Sequence, residues 1–190
     1  MELWYIHAAR ADPDNVFAIA FKTPPVDSKG SAHVLEHYVL AGSEQFPVSN
    51  PFLKMMTRVD YQNLRNVYVD LVMHPLLKEA DFLQEAWRIE PQDMNYPDSP
   101  LELRGVVYTE MKSIRENAQS WFARDIRAAL LPDTVYAHNS GGNPDDIPQL
   151  TWDGVRRFHN QHYGTANAKV FSYGDLALED HLNAMNQLVQ

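Results

Sequence analysis

"SAHVLEHYVL", residues 31 to 40, sets His33 and His37 four apart with Glu36 directly before the second histidine. Each residue of an α-helix turns about 100°, so both imidazoles fall on one face, a turn apart, where they can converge on one ion. Glu36 points at the edge of that face, near an ion without having to bind it. A carboxylate so placed can take a proton from a water whose pKa zinc has lowered, and pass it to a leaving amine. The order is H-x-x-E-H, the reverse of the commoner H-E-x-x-H. The plainer alternative is a helix carrying three polar residues by accident. Ser31 as N-cap and Gly42 as terminator predict a helix from Ala32 to about Leu40.

Two histidines leave a catalytic zinc site short of a third protein ligand. The chain has no cysteine, so thiolate sites and disulfides are excluded and the ligand must be another histidine or a carboxylate. His159 and His162 have no acidic neighbour and read as a solvent-facing pair. Glu85, Glu90, Glu102, Glu110 and Glu116 all lie downstream in helical sequence, and spacing does not choose among them. The apolar run "GVVY" before Glu110 favours it weakly, because a helix meets the core there. "SGGNP" (140 to 144) reads as a turn, and Met55 and Met56 as core filling.

The 190 residues suit a single domain, residues 1–190, with 45% hydrophobic and 22% charged residues. A net charge of −9 argues against nucleic-acid binding, and no apolar run is long enough for a membrane span. The first ten residues show no basic-then-apolar leader, so the expected location is cytoplasmic. "NVFAIAFKT" (15 to 23) reads as a buried strand and "AKVFSYG" (168 to 174) as another. Residues 81–90 read as a short helix or a helix-to-strand transition. Leu101 to Leu131 is the strongest helical stretch, and "TWDGVRRFHNQHY" is a helix capped by threonine. A last helix follows Ala177. The fold class is α+β.

Longer stretches resemble the pitrilysin/insulysin-type inverted zincin metallopeptidases, and within them the presequence-protease branch. "NVFAIAFKTPPVDSKGSAHVLEHYVLAGSEQFPVSNPF" is similar to that family's first strand, loop and zinc helix. "GVVYTEMKS" is similar to its second zinc motif, Gly-Val-Val-Phe-Asn-Glu-Met-Lys-Gly, and "YAHNSGGNPDDIPQLTWDGVRRFHNQHY" to the segment beyond. Carried over by position, the resemblance implies zinc ligands at His33, His37 and Glu110, with Glu36 as general base. It also implies Zn2+ as cofactor, endoproteolysis of short unfolded peptides, and a mainly antiparallel sheet packed against helices in two layers.

Two departures from the family pattern bear on function. Relatives carry a Ser-Leu-Asn-Thr-Phe-x-Asn-Ala run and an aromatic hairpin where Arg58 here runs into "VDYQNLRNVYVDLV", a deletion near residues 57–60. That segment supplies a strand beside the zinc site to which substrate can add. The apolar spacing from Phe52 to Val72 fits one long helix or two shorter ones meeting near Thr57, and the loss of that segment predicts one merged helix. Relatives also have four such domains in two halves, so this chain corresponds to about the first. A second reading follows: an inactive or split member that binds peptides or a partner subunit, such as a complementary C-terminal half.

Overall fold

The computed structural model describes residues 3–55 and 60–189. In chain order the elements are β1 (Trp4–Ala9), β2 (Val16–Phe21), α1 (Ser31–Tyr38), α2 (Pro51–Met55), α3 (Tyr61–Met73), α4 (Glu79–Glu85) and β3 (Arg88–Pro91). They continue with β4 (Leu101–Arg104), α5 (Val106–Glu116), α6 (Ala118–Leu130), α7 (Trp152–His162), β5 (Ala168–Gly174) and α8 (Leu178–Leu188). The fold is α+β, as the sequence implied. Two compact units divide the chain: residues 1–23, 39–76 and 159–190 form the first, and residues 24–38 and 77–158 the second.

In the first unit a three-stranded sheet has the order β1-β5-β2. β5 pairs in parallel with β1 and antiparallel with β2, so this sheet is mixed. Strand side chains alternate between faces. Val170 of β5 is buried with Val69 of α3 and Met185 of α8, and Tyr5, Phe17 and Ile19 pack against them. Helices thus cover one face of the sheet. The opposite face carries Trp4 and Ile6, 67% and 58% exposed, so β2 and its neighbours are half-buried rather than fully buried strands.

Polar groups share that covered face. His181 of α8 is wholly buried, and its Nδ1 accepts from Arg65 Nη1 at 3.2 Å. Its Nε2 has no partner among the described residues. Burial, the Arg65 charge and the neighbouring His7 push the His181 pKa down to about 4, against a small opposing pull from Asp180. His159 is also buried and donates from Nε2 to the Val72 carbonyl at 3.0 Å. This corrects the expected solvent-facing pair: a distant backbone acceptor draws His159 inward, and burial lowers its pKa. His162 is half-buried.

The expected merged helix is also corrected. Asp60 is extended, with φ −69° and ψ 165°, and its carboxylate caps the Asn63 N–H, so α3 begins afresh at Tyr61. Apart from Asp60, the anticipated seam at 57–60 lies outside the described residues, as does Met56.

In the second unit β3 and β4 form an antiparallel hairpin. The stretch from Leu101 to Leu131 is therefore strand, then helix, then helix. Gly105 precedes α5, and Asn117 (ψ 105°) ends it while capping α6 through the Ser120 N–H. α6 buries none of its residues, and Trp121 lies beneath the Arg124 guanidinium, 3.4 Å from the ring centroid. None of the described helices is long and apolar enough to cross a membrane.

The His181 pKa fixes the sign of one pH effect. Above about pH 6.5 neither folded nor unfolded His181 binds a proton; below it only the unfolded chain does, until the folded residue titrates near 4. Stability carried by neutral His181 therefore falls between those two values, by up to about 3 kcal/mol. Urea midpoints from pH 7 to 4 in the wild type and His181→Gln test this: the variant should show the shallower acid slope, and equal slopes would refute it.

Candidate metal centre

All four candidate residues belong to the second unit, and the packing of α1 decides where they point. Val34, Leu35 and Tyr38 are buried on one side of this helix, which leaves His33 and His37 on the other. The Tyr38 hydroxyl donates to the Lys78 carbonyl at 2.6 Å and so ties α1 to the start of α4. Ser31 lies inside the helix rather than capping it, because the Gly30 carbonyl accepts the Val34 N–H at 2.9 Å.

Two close backbone approaches assemble the rest. Gly30 has φ +77°, and a Cβ there would sit 2.7 Å from the Gly141 carbonyl oxygen and 2.8 Å from Gly142 Cα. No side chain fits that gap, so glycine lets the "SGGNP" turn lie directly against the entry to α1. Asn139 and Asn143 fasten the turn, the first by its N–H to Ser28 Oγ and the second by its N–H to the Ser28 carbonyl. On the other side, a Cβ on Gly105 would lie 2.3 Å from the Ala86 carbonyl oxygen. The start of α5, which bears Glu110, is thus held against the end of α4, which bears Glu85.

The turn orients the His33 ring as well as filling space. Gly141 offers its carbonyl to His33 Nδ1 at 2.8 Å. A carbonyl only accepts, so His33 carries its proton on Nδ1 and turns the Nε2 lone pair outward. Glu110 Oε2 stands 3.5 Å from that Nε2 and 3.7 Å from His37 Nε2. Ligands about 2.1 Å from a tetrahedral zinc are separated from one another by roughly 3.4 Å. Glu110 Oε2 therefore stands at ligand-to-ligand distance from both nitrogens. His33, Glu36 and His37 also form a potential metal-binding group, their ligand atoms within 4.8 Å of one another. Of the two glutamates, Glu110 has the better geometry for a ligand, because its oxygen faces both Nε2 atoms. Glu36 Oε2 is 3.7 Å from His37 Nε2 and stays mostly exposed.

Glu85 has a different place from the other glutamates. Its side chain is 12% exposed, and Oε2 lies 3.5 Å from His37 Nδ1, the nitrogen facing away from Glu110. Hydrogen bonding to Glu85 is the main cause raising the His37 pKa; burial opposes it, and the charges of Glu36, Glu85 and Glu110 add to it. A carboxylate behind a ligating imidazole fixes its tautomer and strengthens it as a donor. Glu90 and Glu102 pair with arginines on the hairpin instead, Glu90 with Arg88 and Arg104, and Glu102 with Arg104. Sequence spacing could name Glu85 as a candidate but not give it this position, and the Gly141 carbonyl had no sequence signal beyond the turn itself.

No protein-family model matches the chain. Over 96% of its length it is similar to curated proteins named "Presequence protease, mitochondrial". Identity is 42% with that of Danio rerio, 42% with that of Yarrowia lipolytica and 40% with that of Mus musculus. The chain spans about a fifth of the length of each relative, 20% in all three cases. The relatives' names overturn the cytoplasmic expectation. That reading rested on ten N-terminal residues, and a segment spanning a fifth of its relatives does not reveal whether a leader precedes it.

If Glu85 orients His37, Glu85→Ala should weaken zinc binding by about 10- to 100-fold with helical content unchanged. Competition against a chelator of known affinity, with circular dichroism as the folding control, measures this. Unchanged affinity would remove Glu85 from the site.

Proposed function

Because the chain belongs to the presequence-protease branch of the pitrilysin family, we propose that it is a zinc-dependent endopeptidase domain acting on short unfolded peptides. The observation that carries this reading is the position of Glu110 Oε2 between His33 Nε2 and His37 Nε2. These three atoms would hold the ion. Zinc bound there would supply Lewis acidity towards a peptide carbonyl and lower the pKa of water.

The chain's own residues provide the remaining functions. His33 is locked by the Gly141 carbonyl and His37 is backed by Glu85, so neither ring must reorganise on binding an ion. Glu36, largely exposed beside them, is free to take a proton at Oε2 and deliver it to the leaving nitrogen. Cleaved targeting sequences in mitochondria are the substrates that the relatives' name suggests. The whole span 1–190 acts in this reading as one incomplete catalytic domain.

A second reading keeps the peptide and drops the chemistry: a split or inactive member completed by a partner subunit. Its support is the deletion. The alignment with the Danio rerio protein runs over 207 residues, against the roughly 182 that 96% of this chain represents. About 25 aligned positions thus have no counterpart here.

The two readings differ in what one set of proteins does. The wild type should bind about one zinc per chain by elemental analysis, and His33→Ala should lose it. Glu36→Gln should keep the metal and lose cleavage of unstructured peptides by a factor on the order of 100 or more. A protein that stays metal-free in the presence of zinc at neutral pH would refute the catalytic reading. Stoichiometric zinc without cleavage, restored by adding a complementary half, would favour the split one.

A further inference from the structure

Arg65 of α3 is 5% exposed, and no carboxylate pairs with it among the described residues. A guanidinium keeps its charge, and burying a charge without a counter-ion is strongly unfavourable. Its partners are all neutral or weakly attractive. Nε and Nη2 donate to Asn66 Oδ1 at 3.2 and 3.1 Å, and Nη1 donates to His181 Nδ1 at 3.2 Å. The Tyr61 ring centroid lies 5.8 Å from Cζ. Five N–H groups minus three bonds leaves one on each terminal nitrogen, a pair suited to the two oxygens of a carboxylate.

Arg65 also lines a pocket of about 290 Å³ in the first unit. Most of its other walls are apolar or aromatic, from Val16 and Phe17 of β2, Phe52 of α2, and Leu64 and Tyr68 of α3. Two polar wall residues are already engaged: Tyr61 donates its hydroxyl to the Val16 carbonyl, and Asn15 donates from Nδ2 to Pro13 and Asp175. Arg65 is the pocket's one charged lining residue among those described. The volume suits a single aromatic or aliphatic side chain.

We propose that this pocket binds a carboxylate carried on a compact apolar body, with Arg65 pairing its oxygens. A peptide ending in an apolar residue and a short free acid share this chemistry. The inference lies entirely in the first unit and does not rest on the peptidase reading.

The test uses the whole chain, unloaded with zinc, and follows the ring resonances of Tyr61 and Tyr68 by NMR. The probes are N-acetylphenylalanine, N-acetylphenylalaninamide and hexanoate. At least one acid should bind saturably, and the amide should bind at least about tenfold more weakly than its acid. Tighter binding of N-acetylphenylalanine identifies a peptide C-terminus, and tighter binding of hexanoate a free acid. Arg65→Leu should abolish binding with the fold retained by circular dichroism, the lost bond to His181 Nδ1 being offset in part by removal of an unpaired buried charge. Arg65→Lys should retain measurable binding. Equal binding of acid and amide, binding retained in Arg65→Leu, or no saturable shift with either acid at about 10 mM would overturn the proposal. So would a large loss of melting temperature in Arg65→Leu without ligand, which would make the arginine a structural anchor.

Discussion

The candidate metal centre depends on a contact without side chains, the approach of the Gly30 backbone to Gly141 and Gly142. A Cβ at Gly30 would lie 2.7 Å from the Gly141 carbonyl oxygen, the same oxygen that receives the His33 ring N–H. Pushing the two backbones apart by the width of a methyl group would break that hydrogen bond. His33 would then lose both its tautomer and its aim. The packing of Gly105 on Ala86 does the corresponding work for Glu110 and Glu85. Two helices and a turn, far apart in sequence, converge because their backbones are bare where they touch.

The site therefore separates into parts that a sequence shows and parts that it hides. His33, Glu36 and His37 are legible because one helix sets their relation, and helical geometry is local. Glu110 is visible from family resemblance, while spacing alone left it among five glutamates. Glu85 owes its position behind His37 to tertiary packing, and no periodicity encodes that. The Gly141 carbonyl is a backbone atom 108 residues away from the ring that it orients. Family resemblance marked the segment that contains it without assigning it a task.

The fold shows the same division. β5, the final helix and the threonine-capped α7 stand close to where local pattern put them. Structure departs from local pattern where one polar side chain redirects the chain against a continuing apolar pattern. Asp60 starts α3 anew, and Asn117 splits the Leu101–Leu131 stretch after Gly105 has already separated strand from helix. His159 sits buried because the Val72 carbonyl offered it a partner, which its own helix could not reveal. β1 carries no alternation of apolar and polar residues, because its outward face presents Trp4 and Ile6, both exposed.

The strand order β1-β5-β2 has a consequence for how the chain is made. β5 is the middle strand, yet it is the last to leave the ribosome. β1 and β2 have no neighbour in this sheet until residues 168–174 emerge, about 150 residues after β2. Every residue of the second unit precedes that moment. The unit with the candidate metal centre can thus close while the first unit still waits for its central strand. During synthesis the older part of the molecule in sequence is the younger in structure.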